Sequence, residues 1–353
     1  MFEELDEAIE ILGRNTTLPA EAWSRYDAVY YGNIAQWLKY ANSLKLRMAM
    51  RLSYVKPELA KAKAAEAIAG GVITANADNA AMHAAENRTT LIYNDWGDHR
   101  VGADILCYMT GYNDPRMEKM FLPNDVGDYV GIRIGIDVAG KSTAMAKYSN
   151  MIVESTTPYL WFNAAEATFL RAEYELRWGS EETAKTLYEQ AVQLSFEERG
   201  ASGAEAYLAD ASKKPAPYTD PLGNYSASAR SEITVPWETA SDAGDAEAVR
   251  ERNLERIITQ KWIAIFPLGV EAWSEHRRTG YPKLLPVPTD KSGGSVNVEQ
   301  GARRLPYPVE EYQQNNTNLQ TAIQTLDAEQ QNGDRTGDVM GTRVWWDCKP
   351  YNK

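Results

Sequence analysis

Two consecutive stretches, TPYLWFNAAEATFLRAEYELRWG and SEETAKTLYEQAVQLSFEERG, constrain the fold more than any other feature of this chain. In the first, Thr157 serves as an N-cap, Pro158 lies in the first turn and Gly179 is the terminator. In the second, Ser180 is the cap, Ala184, Leu187, Tyr188, Ala191 and Val192 share one face, and Gly200 ends the helix. Small residues at the crossing and a Gly-Ser turn between them predict an antiparallel helical hairpin.

The pattern recurs. Over residues 34–52, Trp37, Ala41, Leu44, Met48 and Leu52 fall at intervals of three or four, one buried helical face. Pro57 opens a second helix that Gly70-Gly71 closes. Leu254, Ile258, Trp262 and Ile265 line a helix closed by Pro267, with a partner over about 270–279. Three hairpins result, with residues 3–12 as the remnant of another. Each resembles a tetratricopeptide-type unit, without the full repeat signature. Between them lie long irregular segments, 76–150 and 201–242, whose Tyr and Trp content argues against disorder. The C-terminal tail is loop-rich and ends in TRVWWD, expected to be a short docking strand.

The crowded stretch EAWSEHRRTGYP, residues 271–282, invites a catalytic reading, but each of its residues suits the end of a helix. Gly280 fits a left-handed stop, Pro282 blocks continuation, and the arginines complement the helix dipole. Arg47 and Arg51, four apart, share a helix side with room for an anion. The favoured reading has their stems covering the core edge and their heads meeting acidic neighbours.

A formal net charge of −12 argues against nucleic acid and against adhesion of the folded body to anionic lipid. The two cysteines, Cys107 and Cys348, form no CxxC, which excludes the usual zinc spacing and a disulfide framework but leaves one disulfide open. His83, His99 and His276 match no HExxH pattern, and GxSxG, GxxxxGK and GxGxxG are all missing. With 49 carboxylates, chance pairs abound and spacing says nothing about an acid/base dyad. No apolar run reaches a membrane span, and the acidic amphipathic start is unlike a secretory signal. Ten Trp and 20 Tyr against 6 Phe weakly favour a binding protein.

WLKYANSLKLRMAMRLS, DPRM, FNAAEATFLRAEYELRWG, QKWIAIFPLGVEAWSEHRRTGYPKL, RRLPYPVEEYQQN and TRVWWD follow one another in the order of the SusD/RagB outer-membrane lipoproteins of Bacteroidetes. The chain resembles that family over its whole length, most of all the branch called SusD-like 2. The resemblance implies a mainly α fold, a right-handed scaffold of tetratricopeptide-like hairpins with long loops packed on one side. It implies a single domain, 1–353, with scaffold segments at about 3–73, 157–200 and 245–282 and ligand-side segments at about 76–150, 201–242 and 283–353. It implies glycan capture without catalysis or cofactor, for a SusC-type TonB-dependent transporter; a peptide-binding member or a helical-repeat protein adaptor is the alternative. Family members begin with a lipoprotein signal, an anchoring Cys and further helices, so the resemblance implies surface display through an N-terminal lipid anchor that this sequence does not contain.

A sugar offers an apolar C–H face and a rim of hydroxyls, which a flat ring flanked by planar polar groups matches. Helix-facing Trp37, Trp161, Trp262 and Trp273 sit on apolar stripes and are expected in the core. Loop aromatics are the better candidates: Tyr93 and Trp96 with Asn94, Asp98 and Arg100, and Tyr225 and Trp237 with Asn224 and Arg230. Against this stands the simpler role of pinning long loops to the scaffold.

Overall fold

A computed structural model describes residues 1–138, 140–239 and 245–350. The ends of the second and third ligand-side segments, 240–242 and 351–353, lie outside the described residues. The helices of ten residues or more are α1 (Phe2–Arg14), α2 (Ile34–Arg51), α3 (Pro57–Gly70), α4 (Ala103–Tyr112), α5 (Ala164–Trp178), α6 (Glu181–Arg199), α7 (Ala246–Ala264), α8 (Gly269–Thr279) and α9 (Asn316–Glu329). The fold is mainly α, with two small antiparallel sheets: β1 (Ala80–Met82) with β4 (Tyr159–Phe162), and β2 (Phe121–Leu122) with β3 (Asn150–Met151).

Helices α5 and α6 form the most extensively packed pair, followed by α2 and α3, with α1 laid on α2. Ala164, Ala165, Ala167, Ala172, Ala184 and Ala191 are buried without residual exposure, and their small side chains let the α5 and α6 backbones approach. Helix α7 packs chiefly on α5 and meets its sequence neighbour α8 through the buried Lys261–Glu275 pair (Nζ–Oε2 2.7 Å). Gly280 stops α8 at φ 79° and ψ 6°, a left-handed turn that suits a residue without Cβ.

Three local expectations are corrected. Helix α5 begins at Ala164, not near Thr157: the aromatic run Tyr159–Phe162 pairs as a strand with β1, and Asn163 caps the helix by accepting the Glu166 N–H at 2.8 Å. Thr157 instead closes a turn, its hydroxyl accepting the Glu154 N–H. The terminal TRVWWD forms no strand. It docks through side chains, with the Asp347 carboxylate on the buried Arg303 guanidinium at 2.6 and 2.7 Å. Helices α4 and α9 lie within segments expected to be loops. The first is apolar nearly all round and so shows no one-sided stripe; the second does carry one, Leu319, Ala322, Ile323 and Leu326, short and set in an otherwise polar tail.

Buried ion pairs cross the scaffold. Arg47 of α2 holds Glu166 of α5 through two 2.7 Å bonds, and Arg51 reaches Glu271 (2.6 Å) and Glu275 (2.9 Å) of α8. Arg278, fully buried, clamps Glu173 of α5 with two 2.7 Å bonds and Glu275 at 2.6 Å. The paired arginines of EAWSEHRRTGYP thus serve the scaffold by different means. Arg277 stacks on Trp273, its guanidinium carbon 3.7 Å from the ring centroid. Arg116 of the DPRM turn is equally buried, bonding Asp114, Ser195 of α6 and Gln260 of α7. Arg47, Arg116 and Arg278 each have a carboxylate partner and further hydrogen bonds, to Trp161, Ser195 and Ser53, the condition under which charges are tolerated inside.

Candidate functional site

The loop carrying Tyr93, Asn94, Trp96, Asp98 and Arg100 is built from backbone turns. The Leu91–Asp95 turn returns the Trp96 N–H to the Leu91 carbonyl (2.7 Å) and the Asp98 N–H to that of Ile92 (3.0 Å). Asn87 ties the loop to the 155–157 turn, donating from its backbone to the Ser155 carbonyl and from its side chain to that of Thr157. The Asn94 amide is spent on the Val153 carbonyl at 3.0 Å. Tyr93 packs against the core edge with His99 5.8 Å away, and burial pushes its phenol pKa up. Arg100 donates to the His99 carbonyl, and burial pulls its pKa down. Three of the five are exposed: Trp96 at 54%, Asp98, which pairs with Lys141 at 2.9 Å on the surface, and Asn94, whose Oδ1 accepts, among the described residues, only from the Asn150 amide at 3.4 Å.

The second group divides. The Asp220 carboxylate accepts the N–H groups of Asn224 and Tyr225, and the Tyr225 carbonyl accepts from Arg133 at 2.6 Å. Lys291, paired with Asp137 at 2.6 Å, holds that carboxyl below its usual range, helped by a hydrogen bond from Tyr225. Tyr225 therefore stands beside the cleft described below. Trp237 does not: its ring lies 5.6 Å from that of Tyr188 of α6, and its Nε1 is buried. It pins the loop to the scaffold. Arg230 pairs with Glu299 across the loop layer.

The sequence reading missed the concave surfaces. Between residues 131–138 and 284–302 lies a cleft of about 480 Å³, lined largely by apolar side chains, with Asp104 and His276 among them and with the exposed Asp290, Lys291 and Glu299 also contributing. Arg133 joins its two sides, donating to the Pro286 carbonyl as well as to that of Tyr225. A second cleft of about 650 Å³, lined by Arg230, Asn297 and Lys349, shares His276, Leu284, Glu299 and Gln300 with the first. The lining comes from distant segments, and only the crowding around His276 and the candidate Arg230 marked any of it. Burial pushes the Asp104 carboxyl up in pKa against the Leu285 N–H it accepts at 2.6 Å. Burial and then Arg303 bring His276 down to about 4, leaving it neutral at physiological pH. Near α1, Trp23, Tyr26, Trp37 and Trp161 line a further apolar hollow of about 700 Å³, so Trp37 and Trp161 are half-buried rather than fully in the core.

Among the described residues, no group of three His, Cys, Asp or Glu side chains is arranged to hold a metal ion, and Cys107 and Cys348 are free thiols. No helix of the described residues is long and apolar enough to cross a membrane.

A hairpin scaffold carrying an exposed ring and polar-rimmed clefts in its loop layer is the form of a ligand-binding protein. The chain belongs to the SusD-like family, described as Susd and RagB outer membrane lipoproteins, which it matches over residues 1–347. A SusD homologue from Bacteroides thetaiotaomicron VPI-5482 is 50% identical, with a TM-score of 0.93 over 99% of this chain and 73% of that one. One from Bacteroides uniformis ATCC 8492 is 44% identical, with a TM-score of 0.88 over 99% and 72%. A chitin-binding SusD homologue from Flavobacterium johnsoniae is 39% identical, also with a TM-score of 0.88 over 99% and 72%. No curated protein matches the chain.

Proposed function

We propose that this protein captures oligosaccharides at the cell surface, without cleaving them, and delivers them to a SusC-type TonB-dependent transporter. A lipid anchor preceding the residues of this sequence would hold it to the outer membrane. The observation that carries the reading is Trp96: a large ring, 54% exposed, on a turn fixed by backbone hydrogen bonds, beside the Asp98–Lys141 pair. A rigid ring stacks on a sugar's C–H face with little ordering cost, while the charged rim offers partners to its hydroxyls. The clefts carrying Asn297, Gln300 and Arg230 add planar hydrogen-bonding groups of the kind that grip hydroxyl pairs. The chitin-binding relative at 39% identity supports the glycan class.

Isothermal titration of the purified protein against a panel of β- and α-linked hexasaccharides tests the reading. Saturable binding of at least one, with the glycan recovered at its original length, is expected. Failure to bind any of them, or shortening that persists through purification and disappears with one carboxylate substitution, overturns it. Co-purification of a TonB-dependent transporter from native membranes tests the partner.

A further inference from the structure

The cleft between residues 131–138 and 284–302 combines two properties that seldom meet in one small hollow. Its walls are apolar, with Ile134, Leu285, Val287, Val296 and Val298 all contributing. Among them stands one buried carboxyl, that of Asp104, 9% exposed. The Leu285 N–H occupies one of its oxygens, and a carboxylate has about four acceptor positions, so it can take a further donor from the cleft. His276 adds a second acceptor. Its Nδ1 lies 3.1 Å from the Pro282 carbonyl oxygen and donates to it in the neutral ring, which leaves Nε2 as the acceptor. At about 480 Å³ the hollow has room for a sugar ring or two rather than a long chain, within the ~300–1,000 Å³ typical of small-ligand sites. It shares four lining residues with the more polar cleft beside it, so a chain seated in one continues into the other.

We propose that this cleft is a subsite for a 2-acetamido-2-deoxy sugar residue within the captured glycan; the inference rests on the oligosaccharide-capture reading. An acetamido group carries a methyl and an N–H donor side by side. The methyl fits the valine and leucine walls, where leaving water is favourable, and the N–H meets the Asp104 carboxylate. A hydroxyl at the same position supplies the donor but nothing for the apolar walls. A free ammonium matches the carboxylate's charge but is desolvated against those walls at a cost. The adjoining cleft, with Arg230, Asn297, Gln300 and Lys349, takes the hydroxyls of the neighbouring residue.

The test uses three hexasaccharides with one β-1,4 backbone that differ only at C2: N-acetylglucosamine, glucosamine and glucose. Titration of the unmodified protein is expected to show the N-acetylated hexamer binding at least about tenfold tighter than the other two, the scale on which a built pocket rejects a ligand lacking a group it holds. Val287→Phe and Val298→Phe, which fill the hollow, are expected to erase that preference while leaving the melting temperature unchanged. Equal affinity for the three hexamers, or a preference that survives in folded Val287→Phe and Val298→Phe proteins, overturns the subsite but leaves glycan capture standing. Binding of none of the panel hexasaccharides overturns both. The preference of the unmodified protein decides the matter even where a filling variant does not fold.

Discussion

The scaffold, with the loop segments docked into it, and the outer surface of the loop layer use charge in opposite ways. Within the scaffold Arg278 with Glu173, and where loop segments dock into it Arg116 with Asp114 and Arg303 with Asp347, are paired with at most 1% side-chain exposure on either partner. In the loop layer, Lys141–Asp98 is 54% and 50% exposed, Lys291–Asp137 65% and 73%, and Lys214–Glu232 50% and 80%. Pairs of the second kind are worth roughly 0–1 kcal/mol each, because water screens them and ordering long side chains opposes them. Losing one partner of the first kind strands a charge where water cannot reach it. The scaffold is thus fixed by a few indispensable contacts. The outer loop around Trp96 is held by Asn side chains, backbone turns and half-buried rings, and its charged pair stands in water.

Arg278→Met breaks this contrast most severely. It leaves the buried Glu173 and Glu275 with fewer cationic neighbours, and a loss of about 3–5 kcal/mol of unfolding free energy is expected at pH 7, read by denaturant titration. The deficit should shrink in acid. Burial by itself would raise the Glu173 carboxyl, but Arg278 and Arg177 override it and hold the group at about 2, against an ordinary 4.5. Its folded pKa is below its unfolded one. The stability it contributes is therefore present above about pH 4.5 and is lost as the pH falls towards 2. A deficit as large at pH 3 as at pH 7 would place the effect elsewhere.

Trp237→Ala sharpens the comparison from the loop side. With its ring against Tyr188, the change is expected to cost about 2–3 kcal/mol of stability and to leave glycan affinity within a factor of two. Lower affinity at unchanged stability would move Trp237 from the scaffold to the ligand surface.

The hairpins were legible because their apolar residues recur at helical spacing and Gly179, Gly200 and Gly280 mark their ends. The α5 start was misplaced because Thr157-Pro158 imitates a cap, while the strand partner that claims Tyr159–Phe162 lies some 80 positions earlier in the chain. Trp96, Tyr225 and Trp237 all looked alike as loop aromatics. What separates them is the neighbour each ring meets, and Tyr188 or Asp137 cannot be paired with a ring by local spacing. The clefts were invisible for the same reason: Asp104, His276 and Gln300 converge only when three segments fold together. Gly280→Val tests a legible element, and strain at φ 79° is expected to cost about 1–2 kcal/mol, seen as a lower melting temperature.

The smallest expected effect on folding belongs to Trp96→Ala. Its ring is 54% exposed, and the turn beneath it is closed by backbone bonds that the substitution retains, the Trp96 and Asp98 N–H groups meeting the Leu91 and Ile92 carbonyls. Gly97, at φ 63°, keeps its close seat over Met145 whatever side chain precedes it. Stability should therefore change by no more than about 0.5 kcal/mol, as for surface positions that touch no cap, core or ion network. Binding should change more. If the ring is a stacking platform, its loss weakens oligosaccharide affinity by about 1–3 kcal/mol, the range for an aromatic anchor. Phenylalanine at the same position should restore part of the affinity, since a flat face remains, whereas leucine of similar bulk should not. Titration of the three variants against one bound hexasaccharide, with melting temperatures measured alongside, separates stacking from mere contact. Equal affinities across alanine, phenylalanine and leucine would remove Trp96 from the ligand surface and leave the paired clefts as the place where glycan is held.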